Sequence, residues 1–99
     1  MARVALVMPD LMLGSRVQEL LKAGGHELVR EDADVLVVDL MADCVDVERH
    51  ASGPEKTLGV FAHTRPEVRE RALNAGFDVV VPRSRMVREG AALVDKLVS

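Results

Sequence analysis

The chain has 99 residues and a formal net charge of −3, which fits one small domain and argues against a protein that binds nucleic acid or a membrane surface through a basic face. Its one cysteine, Cys44, allows no intramolecular disulfide and no zinc site of paired cysteines. Its two aromatic residues, Phe61 and Phe77, are too few to form a stacking platform for single-stranded nucleic acid.

The N-terminal segment MARVALVMPD is a poor secretory signal, because Pro9 and Asp10 interrupt its short apolar run. No apolar run approaches the roughly 18 residues of a membrane span. We therefore expect a single domain over residues 1–99 in the cytoplasm, with neither a membrane nor nucleic acid as its partner.

The N-terminal half predicts two buried strands and one helix. Residues 4–7 (VALV) and 35–38 (VLVV) are continuous apolar runs, which are typical of parallel strands covered on both faces. Apolar residues recur at helical spacing over residues 12–23, and a pair of glycines ends this helix. Residues 26–30 (HELVR) predict only an optional edge strand, because the connection from them to the next strand is too short for a parallel crossover.

A further strand and helix are predicted in the middle of the chain. Residues 58–61 (LGVF) form the strand. Thr64 and Glu67 fit a capping box at the start of a helix that Gly76 ends. Glu67 and Arg71 have the i,i+4 spacing of an ion pair on the solvent side of this helix.

The C-terminal part predicts a last strand at residues 79–81 (VVV) and a last helix over about residues 86–98. Four apolar residues are expected on the inner face of that helix: Leu93, Val94, Leu97 and Val98. The alternation of strands and helices predicts the α/β class, with three layers around a parallel sheet of four to five strands.

Three segments resemble the receiver domain of two-component response regulators: RVALVMPDLMLGSRVQELLKAGGHELV, ADVLVVDL and VFAHTRPEVRERALNAGFDVVVPRS. Together they span nearly the whole chain, and ALNAGFDVVVPRS is the most specific stretch. Receiver domains are flavodoxin-like α/β sandwiches that accept a phosphoryl group on an aspartate, with Mg²⁺ as cofactor. The resemblance therefore implies a flavodoxin-like fold. Receiver domains have a helix between the second and third strands, and this crossover helix is missing from the present sequence.

The resemblance also assigns the positions of the phosphorylation site. Asp39 matches the phosphoacceptor at the end of the third strand. Met8 and Pro9 replace the two acids that hold Mg²⁺, and Asp10, one position later, is a weak candidate ligand. Phe61 replaces the hydroxyl residue that ends the fourth strand.

Two further positions depart from the receiver pattern, since Arg83 matches the lysine after the fifth strand and Val80 matches the switch aromatic. Methionine and proline side chains offer none of the oxygen ligands that Mg²⁺ prefers. We therefore expect a degenerate site with no metal and no cofactor, and Mg²⁺ only if a residual phospho-switch survives.

Basic residues cluster where the last strand meets the last helix, and Arg83, Ser84, Arg85 and Arg88 predict an anion site there. Ligands of open α/β folds bind at this edge of the sheet, and helix N-termini attract anions. His63 would lie at the same edge. The alternative is a solvated surface, with Asp39 as a structural carboxylate paired with Arg83.

Two other interpretations have less support. The segment LMLGSRVQELLKAGGHEL is similar to the first helix of Rossmann-type dehydrogenases, but MPDLMLG has a single glycine where a pyrophosphate needs close backbone approach. Cys44 and His50 form no motif that indicates chemistry.

The favoured interpretation is a non-catalytic pseudo-receiver, not an enzyme, that acts through contact with a protein partner or as a homodimer. By resemblance, residues 77–98 would form the partner face, and the uncovered edge of the sheet is a second candidate. Two alternatives stay open. One is a sensor that binds a small anion or phosphate through Asp10, Asp39, His63 and Arg83, and the other is a residual aspartyl-phosphate switch.

Overall fold

The computed structural model describes residues 2–62 and 64–99. Over these residues the chain forms five strands and four helices. In chain order they are β1 (Arg3–Val7), α1 (Leu11–Ala23), β2 (Glu27–Leu28), β3 (Val35–Asp39), α2 (Val47–Ala51), β4 (Lys56–Phe61), α3 (Pro66–Ala75), β5 (Val79–Pro82) and α4 (Arg83–Val98).

The strands form one sheet in the order β2-β1-β3-β4-β5, and every neighbouring pair is parallel. This confirms the predicted α/β class and the parallel sheet, with residues 26–30 supplying the optional edge strand. Because all strands run the same way, their carboxyl ends meet at one edge of the sheet. No helix in the described residues is long and apolar enough to cross a membrane.

Apolar clusters cover both faces of the sheet, as continuous apolar strands require. Under α1 and α4 lie Ala2, Val4, Val17, Leu21, Val35, Val37, Leu58, Val60, Val81, Met86, Leu93 and Val94. Under α2 and α3 lie Ala5, Leu36, Val38, Leu40, Val47, Phe61, Ala72 and Phe77. The sheet is therefore the middle layer of three, as predicted.

The connection from β2 to β3 spans residues 29–34 and contains no helix, which confirms the missing crossover. The geometry is possible because Leu28 and Val35 both pair with Val4. The chain therefore moves sideways past β1 and does not return along the sheet. Asp34 fixes the end of the connection: its N–H donates to the Arg3 carbonyl at 2.7 Å, and its carboxylate accepts from the Arg3 N–H at 3.0 Å.

The start of α3 differs from the prediction. The helix begins at Pro66, and its N-cap is Arg65, which makes no side-chain capping hydrogen bond. With Pro66 in the first turn, Thr64 lies outside the N-cap, so the predicted capping box is wrong. The predicted Glu67–Arg71 pair is also wrong, because Glu67 pairs with Arg65 and Arg71 pairs with Glu48 of α2. The hydrogen bond from Arg65 lowers the pKa of Glu67.

Two other elements depart from the sequence expectation. The last helix begins at Arg83, directly after β5, and not at residue 86. Val98, expected on its inner face, is 41% exposed at the end of the helix. The short helix α2 was not predicted; the Asp46 side chain caps it by accepting from the Arg49 N–H at 3.1 Å.

A buried histidine connects the edge of the sheet to α4. The side chain of His26 is fully buried, and its Nδ1 accepts from the Ala2 N–H at 3.1 Å. Its Nε2 lies 3.2 Å from the Ala91 carbonyl and 3.1 Å from the Asp95 carboxylate. One imidazole thus joins the start of β1, the start of β2 and the C-terminal half of α4.

We expect His26→Ala to lower the free energy of unfolding by about 2–4 kcal/mol, because it leaves a cavity and a buried N–H without an acceptor. Urea denaturation of both proteins measures the difference. The control is His50→Ala, since His50 is only half-buried on α2. Equal losses in the two variants would contradict a structural role specific to His26.

Candidate functional site

The candidate site lies at the carboxyl edge of the sheet, around the last residue of β3. The Asp39 side chain is 3% exposed, so its carboxylate is held in a largely dry environment. Its Oδ1 accepts from the Met41 N–H at 3.0 Å, which makes a tight side-chain turn after the strand. One oxygen of the matched phosphoacceptor is therefore already bound by the protein's own backbone.

Arg83 is brought to Asp39 because α4 begins without a loop after β5. Its Nη2 lies 3.9 Å from the Asp39 Oδ1, which is an electrostatic contact and too long for a hydrogen bond. The Arg83 side chain is 43% exposed, but its Nε is buried and has no hydrogen-bond partner in residues 2–62 and 64–99. The guanidinium supplies the positive charge that a buried carboxylate needs.

Asp10, the weak metal candidate, is used as a helix cap. It is the N-cap of α1, and its Oδ1 accepts from the N–H groups of Met12 and Leu13 at 3.0 and 3.1 Å. The two positions that match the receiver acids are Met8, which packs against the core, and Pro9, which is exposed. Neither offers an oxygen ligand.

The donors around Asp39 do not fit Mg²⁺. The ion prefers six oxygen ligands at short range, several of them carboxylates or water. Across the described parts of the chain, no group of three or more acidic, histidine or cysteine side chains could hold a metal ion. Phe61, at the hydroxyl position, is 6% exposed and belongs to the apolar cluster under α2 and α3. Val80, at the switch position, packs against the same cluster.

The residues predicted to bind an anion surround the first turns of α4. Ser84, Arg85 and Arg88 are exposed, and both arginines lie within 4 Å of Glu89, at 3.4 and 3.6 Å. The first turn contains no acidic residue, and the N-cap Pro82 offers no side-chain hydrogen bond. His63 was predicted to lie at the same edge but falls outside the described residues.

A groove of about 550 Å³ separates the start of α1 from the start of α4. Met12, Arg16, Arg83 and Val87 are among the residues that line it. Met12 is 86% exposed and its neighbour Leu11 is 84% exposed. Sequence reasoning did not predict that these two apolar side chains are exposed. Their positions on α1 could have indicated it, since neither lies on the helix face of Val17 and Leu21.

The other candidates stay apart from this site. Cys44 is exposed in the loop after β3, and His50 is half-buried on α2. The turn between β1 and α1, residues 8–10, contains no glycine, because Gly14 lies inside α1. A phosphate that approached this turn would meet the carboxylate of the Asp10 cap. The structure therefore brings Asp39 and Arg83 together and employs Asp10 elsewhere.

We expect Arg83→Met to lower the free energy of unfolding by about 0.5–1 kcal/mol, because water screens a partly exposed cation. In an Asp39→Asn background the same substitution should cost less, because the buried carboxylate is gone. A double-mutant cycle by urea denaturation measures the coupling. Equal costs in the two backgrounds would show that the pair contributes nothing.

Comparison with known proteins shows the fold. No family model matches the chain, and no curated protein matches it. The receiver domain of Francisella response regulator 1452 matches with a TM-score of 0.81 and 16% identity, over 98% of this chain and 96% of that one. A LuxR-family DNA-binding response regulator from Staphylococcus aureus matches with a TM-score of 0.84 and 17% identity, over 100% of both chains.

The non-phosphorylated HemR receiver domain from Leptospira biflexa matches with a TM-score of 0.78 and 18% identity, over 100% of this chain and 95% of that one. Identities this low show the fold alone. The chain has the fold of a response-regulator receiver domain, as the sequence resemblance implied.

Proposed function

We propose that this protein is a non-catalytic pseudo-receiver, a regulatory module that acts through protein–protein contact and not through phosphotransfer. The observation that carries the proposal is the state of Asp39. Its carboxylate is buried, its Oδ1 accepts from the Met41 N–H, and Arg83 stands beside it. A carboxylate enclosed in this way serves the stability of the site and is poorly placed to attack a phosphoryl donor.

The neighbouring positions support the same conclusion. Phosphoryl transfer depends mainly on positioning and on compensation of the charge that develops on the phosphoryl oxygens. Here the guanidinium of Arg83 is matched by the Asp39 carboxylate, and a buried Phe61 ring replaces a hydroxyl donor. Asp10 is committed to two backbone N–H groups of α1. We propose accordingly that the protein uses neither Mg²⁺ nor another cofactor and is not an enzyme.

The contact face proposed for this module is residues 77–98, which contain β5 and α4. Alternating charges cover the solvent side of α4, and Arg85, Arg88, Glu89, Asp95 and Lys96 are exposed there. Such a face suits a polar, reversible contact more than a permanent one. The proposal includes a regulatory role in the cytoplasm, with a protein partner or a second copy of the chain on this face.

The proposal is tested by intact-mass spectrometry after incubation with acetyl phosphate and Mg²⁺. We expect no gain of a phosphoryl group, because Asp39 is enclosed and the metal ligands are absent from the matched positions. The matched control is Asp39→Asn. A gain of one phosphoryl mass in the unmodified protein, absent from the control, would establish a working phospho-switch and refute the proposal.

One observation favours a second candidate, a small-anion sensor at the start of α4. The Arg83 Nε is buried without a partner in the described part of the chain, and the first turn of α4 has no acidic residue. Both features favour an anion. The Arg83 Nε is a cationic donor without an acceptor among the described residues, and helix N-termini present free N–H groups.

For this candidate we expect inorganic phosphate to raise the melting temperature of the unmodified protein and to have a weaker effect on Arg83→Met. A differential scanning measurement over a phosphate series checks this, with chloride at equal ionic strength as the salt control. Arg69→Met is the matched variant, since Arg69 is exposed on α3. Equal shifts in all three proteins would exclude a phosphate site at Arg83.

A further inference from the structure

The C-terminal half of β1, around Leu6, is an open edge of the sheet, because β2 pairs only with the N-terminal half. The carbonyls of Ala2 and Val4 accept from Glu27 and Val29, both at 2.9 Å, so the even-numbered residues of β1 direct their backbone groups toward β2. By the alternation of a strand, the N–H and carbonyl of Leu6 point the same way. β2 has already ended, and no hydrogen bond joins Leu6 to anything on that side within the described residues.

Two grooves flank this open edge, one on each face of the sheet. A groove of about 750 Å³ lies on the α1 side, and one of about 540 Å³ lies on the α2 side above Ala5, Val7 and Leu36. Leu6 and Arg30 line both grooves, so the two meet at the edge. They exist because β2 is two residues long and no helix follows it.

We infer that this open edge with its two grooves, here called the β1 notch, binds an extended segment of a protein partner by strand addition. An added strand would donate to and accept from Leu6, and its alternate side chains would enter the two grooves. A helix cannot do this, because its backbone groups are already paired. The inference rests on the proposed function, since it names a partner segment for an interaction module.

The charges around the β1 notch define the chemistry of the segment. Lys22, Arg30 and Arg49 line the grooves, and none has an ion pair within 4 Å among the described residues. Of the acids there, Glu27 lies 4.0 Å from Arg3, which leaves Glu55 as a counter-charge. The notch is thus basic on a protein with a net charge of −3.

The partner segment is therefore one in which apolar side chains alternate with acidic ones. Apolar side chains match the floor formed by Ala5, Val7 and Leu36, and carboxylates match the basic rims. A second copy of the chain is a poor occupant, because a symmetric contact would bring the same cations of both copies together.

The probe is an acetylated, amidated peptide of about six residues in which Val alternates with Asp, a length that suits a short strand. Two control peptides are used. One carries Lys in place of Asp, and the other carries N-methyl groups on the backbone amides that face the notch. Binding is followed by amide hydrogen exchange and by ¹⁵N-resolved NMR spectra of the full chain.

We expect the acidic peptide, at about 1 mM, to slow exchange of the Leu6 amide several-fold, a level at which even weak binding is visible. The Val7 amide faces β3 and should not change, because its side of the strand is already paired. Both control peptides should bind at least about tenfold more weakly. The Lys peptide loses the charge match, and the N-methylated peptide loses the backbone hydrogen bonds.

A matched pair of variants locates the site. Arg30→Glu should weaken binding of the acidic peptide about tenfold by reversing a charge at the notch, and Arg69→Glu, on α3, should leave it unchanged. The inference is overturned if Leu6 is not protected, or if the control peptides bind equally well. It is also overturned if Leu6 becomes protected with rising protein concentration alone, which assigns the notch to a second copy.

The outcomes separate this inference from the proposed function. Phosphorylation of Asp39 would refute the pseudo-receiver and leave a protected Leu6 as it is. A Leu6 amide that never responds would refute the β1 notch and leave the phosphorylation result unaffected.

Discussion

The pairing of Val4 with both of its neighbours is the constraint on which the rest of the structure depends. Leu28 on one side and Val35 on the other lie at the same level of β1, so six connecting residues suffice where a parallel crossover normally needs a helix. From this level β3 continues to Asp39 at the carboxyl edge of the sheet. β2 ends at Leu28, so the backbone groups of Leu6 have no strand partner on that side.

The carboxyl edge is arranged around the burial of Asp39. A carboxylate with 3% of its surface exposed needs hydrogen bonds and an opposite charge, and the Met41 N–H and Arg83 supply them. Both groups contact the Asp39 Oδ1, and this engagement of the acid is the physical basis of the proposed loss of phosphotransfer.

Strands β1, β3 and β5 were predictable because each contains a continuous apolar run, and a run such as residues 35–38 has few alternatives to a buried strand. Helix boundaries were harder. The first turn of α4 begins at Arg83 because Pro82 is extended and feeds it directly, which depends on where β5 stops. Pro66 sets the start of α3 and overrides the Thr64 capping pattern. A five-residue helix such as α2 is too short to show a period.

For the candidate site, the sequence was sufficient to place Asp39 and Arg83 at one edge, since strand ends in a parallel sheet converge. It was insufficient to show how each side chain is used. An aspartate at position 10 is suited both to bind a metal ion and to cap a helix. The hydrogen bonds from the backbone N–H groups of α1, which the sequence does not show, identify it as a cap. The open edge at Leu6 was harder still to predict, because the residue type at a position does not indicate whether its backbone groups are paired. Whether the backbone of Leu6 has a strand partner depends on where β2 ends, and the length of a strand is a property of its neighbours as much as of its own side chains.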